Sequence, residues 1–157
     1  MRDVLQSALG RQGAHGGLRL ELPDDQFEAQ PAVALLPRAV TAPFDTLIDA
    51  CTWSLSETNK DRLVGLLADA CCERLEHFVT QSSFGFAGAL KLEECVRALS
   101  AVFARHSSSP VRARFARLRE IMLILTSDAS APSAVLTDSS TLTNSEVQAF
   151  LALRVET

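Results

Sequence analysis

Cys71 and Cys72 stand side by side, and His77 follows them in the same apolar-periodic segment. This is where the sequence brings a thiol and an imidazole closest together. Thiol catalysis needs the imidazole within hydrogen-bond reach of the sulfur and an acid to orient it. Here both groups fall on one expected helix, with no orienting acid evident. A metal reading fails on spacing, because neither CxxC nor HxxxH occurs among Cys51, Cys71, Cys72, Cys95, His15, His77 and His106. Reduced cysteines buried as small apolar side chains are the simpler expectation. Gly13-Ala-His-Gly-Gly17 is glycine-rich, but no strand precedes it and no lysine follows at the phosphate position, so it reads as flexible linker. GxSxG, GxxxxGK[ST] and GxGxxG patterns do not occur. His77 and His106 fall near helix ends, where a cation suits the helix dipole without catalysis. The sequence implies no cofactor and no metal, and no enzymatic role is expected.

Two charged residues remain. Arg117 shares a helical stripe with Ala113, Ile121 and Ile124, beside a seam of Phe115, Leu118 and Met122. A guanidinium placed there loses water when helices pack, and it then needs a partner. Glu146 lies one turn before Phe150 and two before Leu153, so its carboxylate is also aimed inward. Local roles compete. Arg117 can pair with Glu120 one turn on, and Glu146 can close a capping box with Thr143.

The elements that must position these residues are helical. The 157 residues, 47% of them apolar, suffice for one domain with a core. A net charge of −4 with scattered basic residues argues against nucleic acid, whose recognition rests on a concentrated positive face. No apolar run reaches the roughly 20 residues a membrane-spanning helix needs. No secretory leader follows Met1, so a soluble cytosolic chain is expected.

Residues 1–12 read as a short helix and 13–30 as a flexible glycine-bearing, acidic linker; 31–157 form the domain proper. From Pro31 to Trp53 the pattern is helical but carries Pro37 and Pro43. It predicts two pieces or one kinked helix, with Phe44, Leu47, Ile48 and Cys51 inward. Ser56 caps a helix over 57–80, whose inward row is Leu63, Leu67, Cys71, Leu75 and Phe78, flanked by Leu66, Ala70 and Val79. Lys60, Asp61, Asp69, Glu73 and Glu76 form its solvated face. Ser82–Lys91 is expected as a loop, 91–106 and 110–126 as single helices, and 127–140 as a loop. Thr143 with Glu146 opens a last helix. No strand alternation is visible, so the fold class is all-α, a small helical bundle.

Several segments resemble a known family. Thr141-Leu-Thr-Asn-Ser-Glu-Val, running on to Leu151-Ala-Leu-Arg-Val155, is similar to the closing helix of the fourth subunit of the conserved oligomeric Golgi complex. Ser82-Ser-Phe-Gly-Phe-Ala-Gly-Ala-Leu90 with Leu92–Leu99, Arg112-Ala-Arg-Phe-Ala-Arg-Leu118, and Arg2-Asp-Val-Leu-Gln6 resemble further stretches in the same order. The family's Tyr-Trp-Gly segment is missing from 127–140, and its upstream domains do not occur in this sequence. The resemblance implies the C-terminal domain of a helical-rod tethering subunit that is peripheral on the cytosolic face of the Golgi membrane. Sister subunits, and SNARE-type proteins, are its implied partners. It further implies that Arg117 and Glu146 meet in a salt-bridge network holding the terminal helices together. An unrelated helical adaptor and a small thiol-dependent enzyme are the competing readings.

Overall fold

Ser56 opens the longest helix as its residue type directs. Its backbone is extended and its hydroxyl accepts from the Asn59 amide at 3.4 Å, meeting one of the orphan donors of the first turn. The computed structural model describes residues 19–20, 31–108, 110–127 and 141–155. The expected helix over 1–12, most of the 13–30 linker and residues 128–140 lie outside the described residues.

The elements run β1 (Arg19–Leu20), α1 (Pro31–Thr52), α2 (Glu57–Thr80), β2 (Ser83–Phe84), α3 (Phe86–His106), α4 (Val111–Arg114), α5 (Ala116–Thr126) and α6 (Asn144–Leu151). The fold is an all-α bundle in which α3 touches α1, α2, α4 and α5. Leu92, Cys95, Val96, Leu99 and Phe103 of α3 are buried, and Ala87, Gly88 and Ala89 bring its first turn close to its neighbours. The Phe103 ring lies 5.1 Å from Phe44 in edge-to-face contact and 5.9 Å from Phe115. One aromatic row thus joins α1, α3 and the α4–α5 junction.

Of the two forms expected for 31–53, two pieces or one helix, the structure has one, since Pro37 and Pro43 lie within the 22-residue helix α1. Pro43 is on the exposed side, where water can satisfy the carbonyl that its missing N–H leaves open. Other expectations are corrected. Leu47 is 46% exposed rather than inward, while Ile48 is fully buried. On α2 the buried row is Val64, Ala68, Cys71, Leu75 and Val79, so Leu66 and Ala70 face outward. Ser82–Lys91 is not a loop, since α3 begins at Phe86. Gly85 serves as its N-cap without a side-chain bond. The helix expected over 110–126 breaks at Phe115, whose φ of −87° and ψ of 1° end α4 and start α5, and whose ring is fully buried. Burying that ring favours a break that the sequence does not announce.

A short parallel pairing accompanies the helices of the bundle. Arg19 and Leu20 register with Ser83 and Phe84. On the other edge, Phe84 N–H donates to the Leu153 carbonyl and Val155 N–H to the Phe84 carbonyl, both at 2.9 Å. Phe84, itself buried, therefore anchors the chain just after α6 to the turn between α2 and α3.

All four cysteines are free thiols. Burial pushes Cys71 and Cys95 up to about 12. Cys72, half-buried beside the Arg114 carbonyl, is also pushed up to about 12, first by burial and then by Asp69. In time-resolved thiol labelling, Cys71 and Cys95 should react far more slowly than Cys51 in the folded chain, and four thiols should titrate after unfolding. Rapid native labelling of Cys71 would contradict the packing described.

Candidate functional site

Charged groups concentrate where α2 meets the chain running from the end of α3 into α5. Asp61, Asp69 and Glu76 are spaced by about two turns along one edge of α2. Each holds a different part of that chain. Asp61 accepts from the Ser107 hydroxyl at 3.0 Å, the Ser108 amide at 3.0 Å and the Ser108 hydroxyl, and the Ser108 contacts hold its carboxyl below the usual range. Asp69 pairs with Arg114. A Cβ on Gly65 would lie 3.2 Å from the Arg114 guanidinium, so this glycine gives that side chain room to lie across α2. Glu76 accepts from Arg117 Nε at 3.0 and 3.1 Å and from Nη2 at 2.8 Å.

Arg117 is the densest junction. Nη2 also donates to Glu146 Oε1 at 2.6 Å, and Nη1 reaches the Thr141 carbonyl at 3.4 Å. One guanidinium thus bridges α2, α5 and the start of α6. Glu146 keeps its second oxygen for its own helix, accepting from the Thr143 amide at 2.8 Å and the Thr143 hydroxyl at 2.7 Å. Thr143 in turn accepts from the Glu146 amide, which closes a capping box. The capping and cross-helix roles therefore coexist, one on each carboxylate oxygen. Hydrogen bonds to Glu76, and then to Glu146, push the Arg117 guanidinium further up. The Thr143 hydroxyl, then Arg117, then the Thr143 amide hold the Glu146 carboxyl down at about 2.

Glu120, the local partner considered for Arg117, instead accepts from the Thr141 amide at 2.9 Å and hydroxyl at 2.8 Å. It fixes the entry to α6 from a second point. His106 does more than end a helix, since its Nε2 lies 3.0 Å from Asp45 and its Nδ1 3.8 Å from Asp49, tying α3 to α1. Burial raises the Asp45 carboxyl, but the hydrogen bonds from Arg105 and His106 outweigh it and leave the group below its usual range. His77 is exposed. The residues that sequence reasoning missed are Asp61, Asp69 and Glu76, which it assigned to solvent. Their two-turn spacing is visible in the sequence, but nothing there marks which chain lies alongside.

The cluster is a clamp of ion pairs about a third exposed, at 33% for Arg117, 31% for Glu76 and 36% for Glu146. Its arrangement suits fixing helices to one another. Residues 17–152 match the family described as conserved oligomeric Golgi complex subunit 4, C-terminal, and the chain belongs to this family. The Drosophila melanogaster protein named conserved oligomeric Golgi complex subunit 4 is 28% identical over 141 residues, covering 85% of this chain. The chain spans 18% of that relative's length. No solved structure matches it.

Arg117→Ala should lower stability by about 1–3 kcal/mol, between an exposed pair and a buried one. It should also open 143–155 to limited proteolysis. Arg117→Lys should rescue poorly, because an ammonium cannot serve two carboxylates through a planar fork. Denaturant unfolding with mapped cleavage checks both; unchanged protection of 143–155 in the alanine variant would refute the clamp.

The Glu146 carboxyl gives a pH test. Its folded value of about 2 lies below the ordinary 4.5. Its contribution is therefore fully present above about 4.5 and is lost as pH falls toward 2. Carboxyl-carbon NMR should find its midpoint near 2, and Thr143→Ala should move that midpoint upward, since the Thr143 hydroxyl is the largest cause. A midpoint unmoved by this substitution would exclude the capping bond.

Proposed function

We propose that this chain is the C-terminal helical domain of a Golgi vesicle-tethering subunit, working by protein–protein contact without turnover. The observation that carries the reading is the family match over residues 17–152. On this reading the chain joins sister subunits of the tethering complex, offers helix faces to SNARE-type proteins, and is peripheral on the cytosolic face of the Golgi membrane. It thereby aids capture of vesicles recycling within the Golgi. No helix of the described residues is long and apolar enough to cross a membrane, which is compatible with peripheral attachment.

Arg117 and Glu146 have a structural part in this function. They hold α6 against α2 and α5, and so keep the C-terminal surface in one shape for partners to recognise. The thiol-dependent alternative is disfavoured by the same burial that fills the core. Cys71 is 1% exposed, and a thiol at about 12 supplies little thiolate at neutral pH.

Affinity purification of the tagged chain from cell lysate, with mass spectrometry of what co-purifies and microscopy of where the chain resides, tests the reading. Sister subunits should be recovered and the chain should coincide with Golgi markers. Arg117→Ala should reduce that recovery severalfold at equal expression. A chain that recovers no subunit of the complex and spreads evenly through the cell would overturn the proposal in favour of a separate helical adaptor.

A further inference from the structure

The stretch joining α3 to α4 carries Ser107 and Ser108 beside the polar edge of α2. Ser107 has extended backbone, with φ −130° and ψ 140°, and Ser108 is exposed. Arg105 stands three residues before Ser108, with its side chain 62% exposed. A protein kinase that reads arginine seats such a residue against its own carboxylates and takes the serine three positions on, in an extended chain. Ser107 already has that conformation. Only the last turn of α3, tied to α1 at Asp45, must open.

Ser108 gives both its amide and its hydroxyl to Asp61. It also lines an open concavity of about 600 Å³, together with Arg62, Gly65, Leu66 and Arg114. Arg62 is exposed and has no ion-pair partner among the described residues. Arg114 lies across Gly65 and gives Nη1 to Asp69, and a guanidinium has further N–H donors to share. Two arginines therefore line the space into which a group added to Ser108 extends. The carboxylates on the same space are Glu57, Asp61 and Asp69. Glu57 lies 3.8 Å from Lys60 and Asp69 is paired with Arg114, while Asp61 is the one in contact with Ser108.

Phosphorylation reverses the preference of this serine. The transfer forms a bond from the γ-phosphorus of a nucleoside triphosphate to Ser108 Oγ and breaks the bond from that phosphorus to the β–γ bridging oxygen. Nucleoside diphosphate leaves, and the hydroxyl proton passes to the carboxylate base of the kinase. Ser108 Oγ then has no proton to give Asp61, and a phosphate carrying about −1.5 to −2 charge repels that carboxylate. Arg62 and Arg114 offer charge-assisted hydrogen bonds instead.

We propose that Ser108 is a phosphorylation site of an arginine-directed protein kinase, and that its phosphate exchanges Asp61 for Arg62 and Arg114. The exchange releases one attachment along α2 and draws Arg114 from a second, while the Arg117–Glu76 pair is untouched. Modification thus resets the join between α2 and α4 without undocking α6.

To test it, the full chain is incubated with the catalytic subunit of cAMP-dependent protein kinase and magnesium ATP, and phosphate is mapped by mass spectrometry. Ser108 should be modified, and Arg105→Ala should slow that modification by about tenfold or more through the lost pair with the kinase. Phosphorus NMR of the modified chain then reads where the phosphate sits. Its second ionisation, ordinarily at about pH 6, should fall below that value because two guanidinium groups favour the dianion. Arg62→Gln, at an exposed position with no ion pair to lose, should move the midpoint back up by roughly half a pH unit or more, with helical circular dichroism unchanged. Three results would each overturn the proposal: no phosphate at Ser108, a rate indifferent to Arg105, or a midpoint at or above about 6 or unmoved by Arg62→Gln.

Discussion

Burial of α3 is the constraint on which the other elements depend. Its Leu99 and Phe103 are wholly inaccessible, and α1, α2, α4 and α5 all pack against it. Removing several large apolar side chains from water outweighs local preferences elsewhere. It is why a helix with two internal prolines persists along one side. It also accounts for the break at Phe115, which turns that ring in beside Phe103.

The polar edge of α2 supplies what apolar burial lacks, which is direction. Apolar packing is adaptable and would tolerate α5 at more than one axial position against its neighbours. Three carboxylates two turns apart, each with a different partner, favour one register: hydroxyl and amide groups at Ser107 and Ser108, Arg114 over Gly65, and Arg117 at Glu76. The geometry selects the arrangement even though partly exposed pairs add little stability individually.

Arg117 links this register to the chain's last helix. Because Glu146 splits its oxygens between Thr143 and Arg117, forming the cap and docking the helix are coupled. The second attachment, through Phe84 and the backbone of Leu153 and Val155, is independent of charge. Two such anchors hold the C-terminal helix by physically independent means.

Much of this was legible in the sequence. Apolar periodicity marked α2 and the later helices, and Ser56 and Thr143 marked their caps, because those signals are local and recur every turn. Arg117 stood out because a charged residue interrupted an apolar stripe. The rotation of α2, which turned Leu66 outward, was not legible, because several apolar rows compete on one helix and only the neighbours decide which is covered. Nor was Glu76 legible as a partner of Arg117, which is 41 residues away. A carboxylate on a polar edge has the same local sequence whether it meets water or a guanidinium, and only the packing of α5 against α2 brings the two within hydrogen-bond reach.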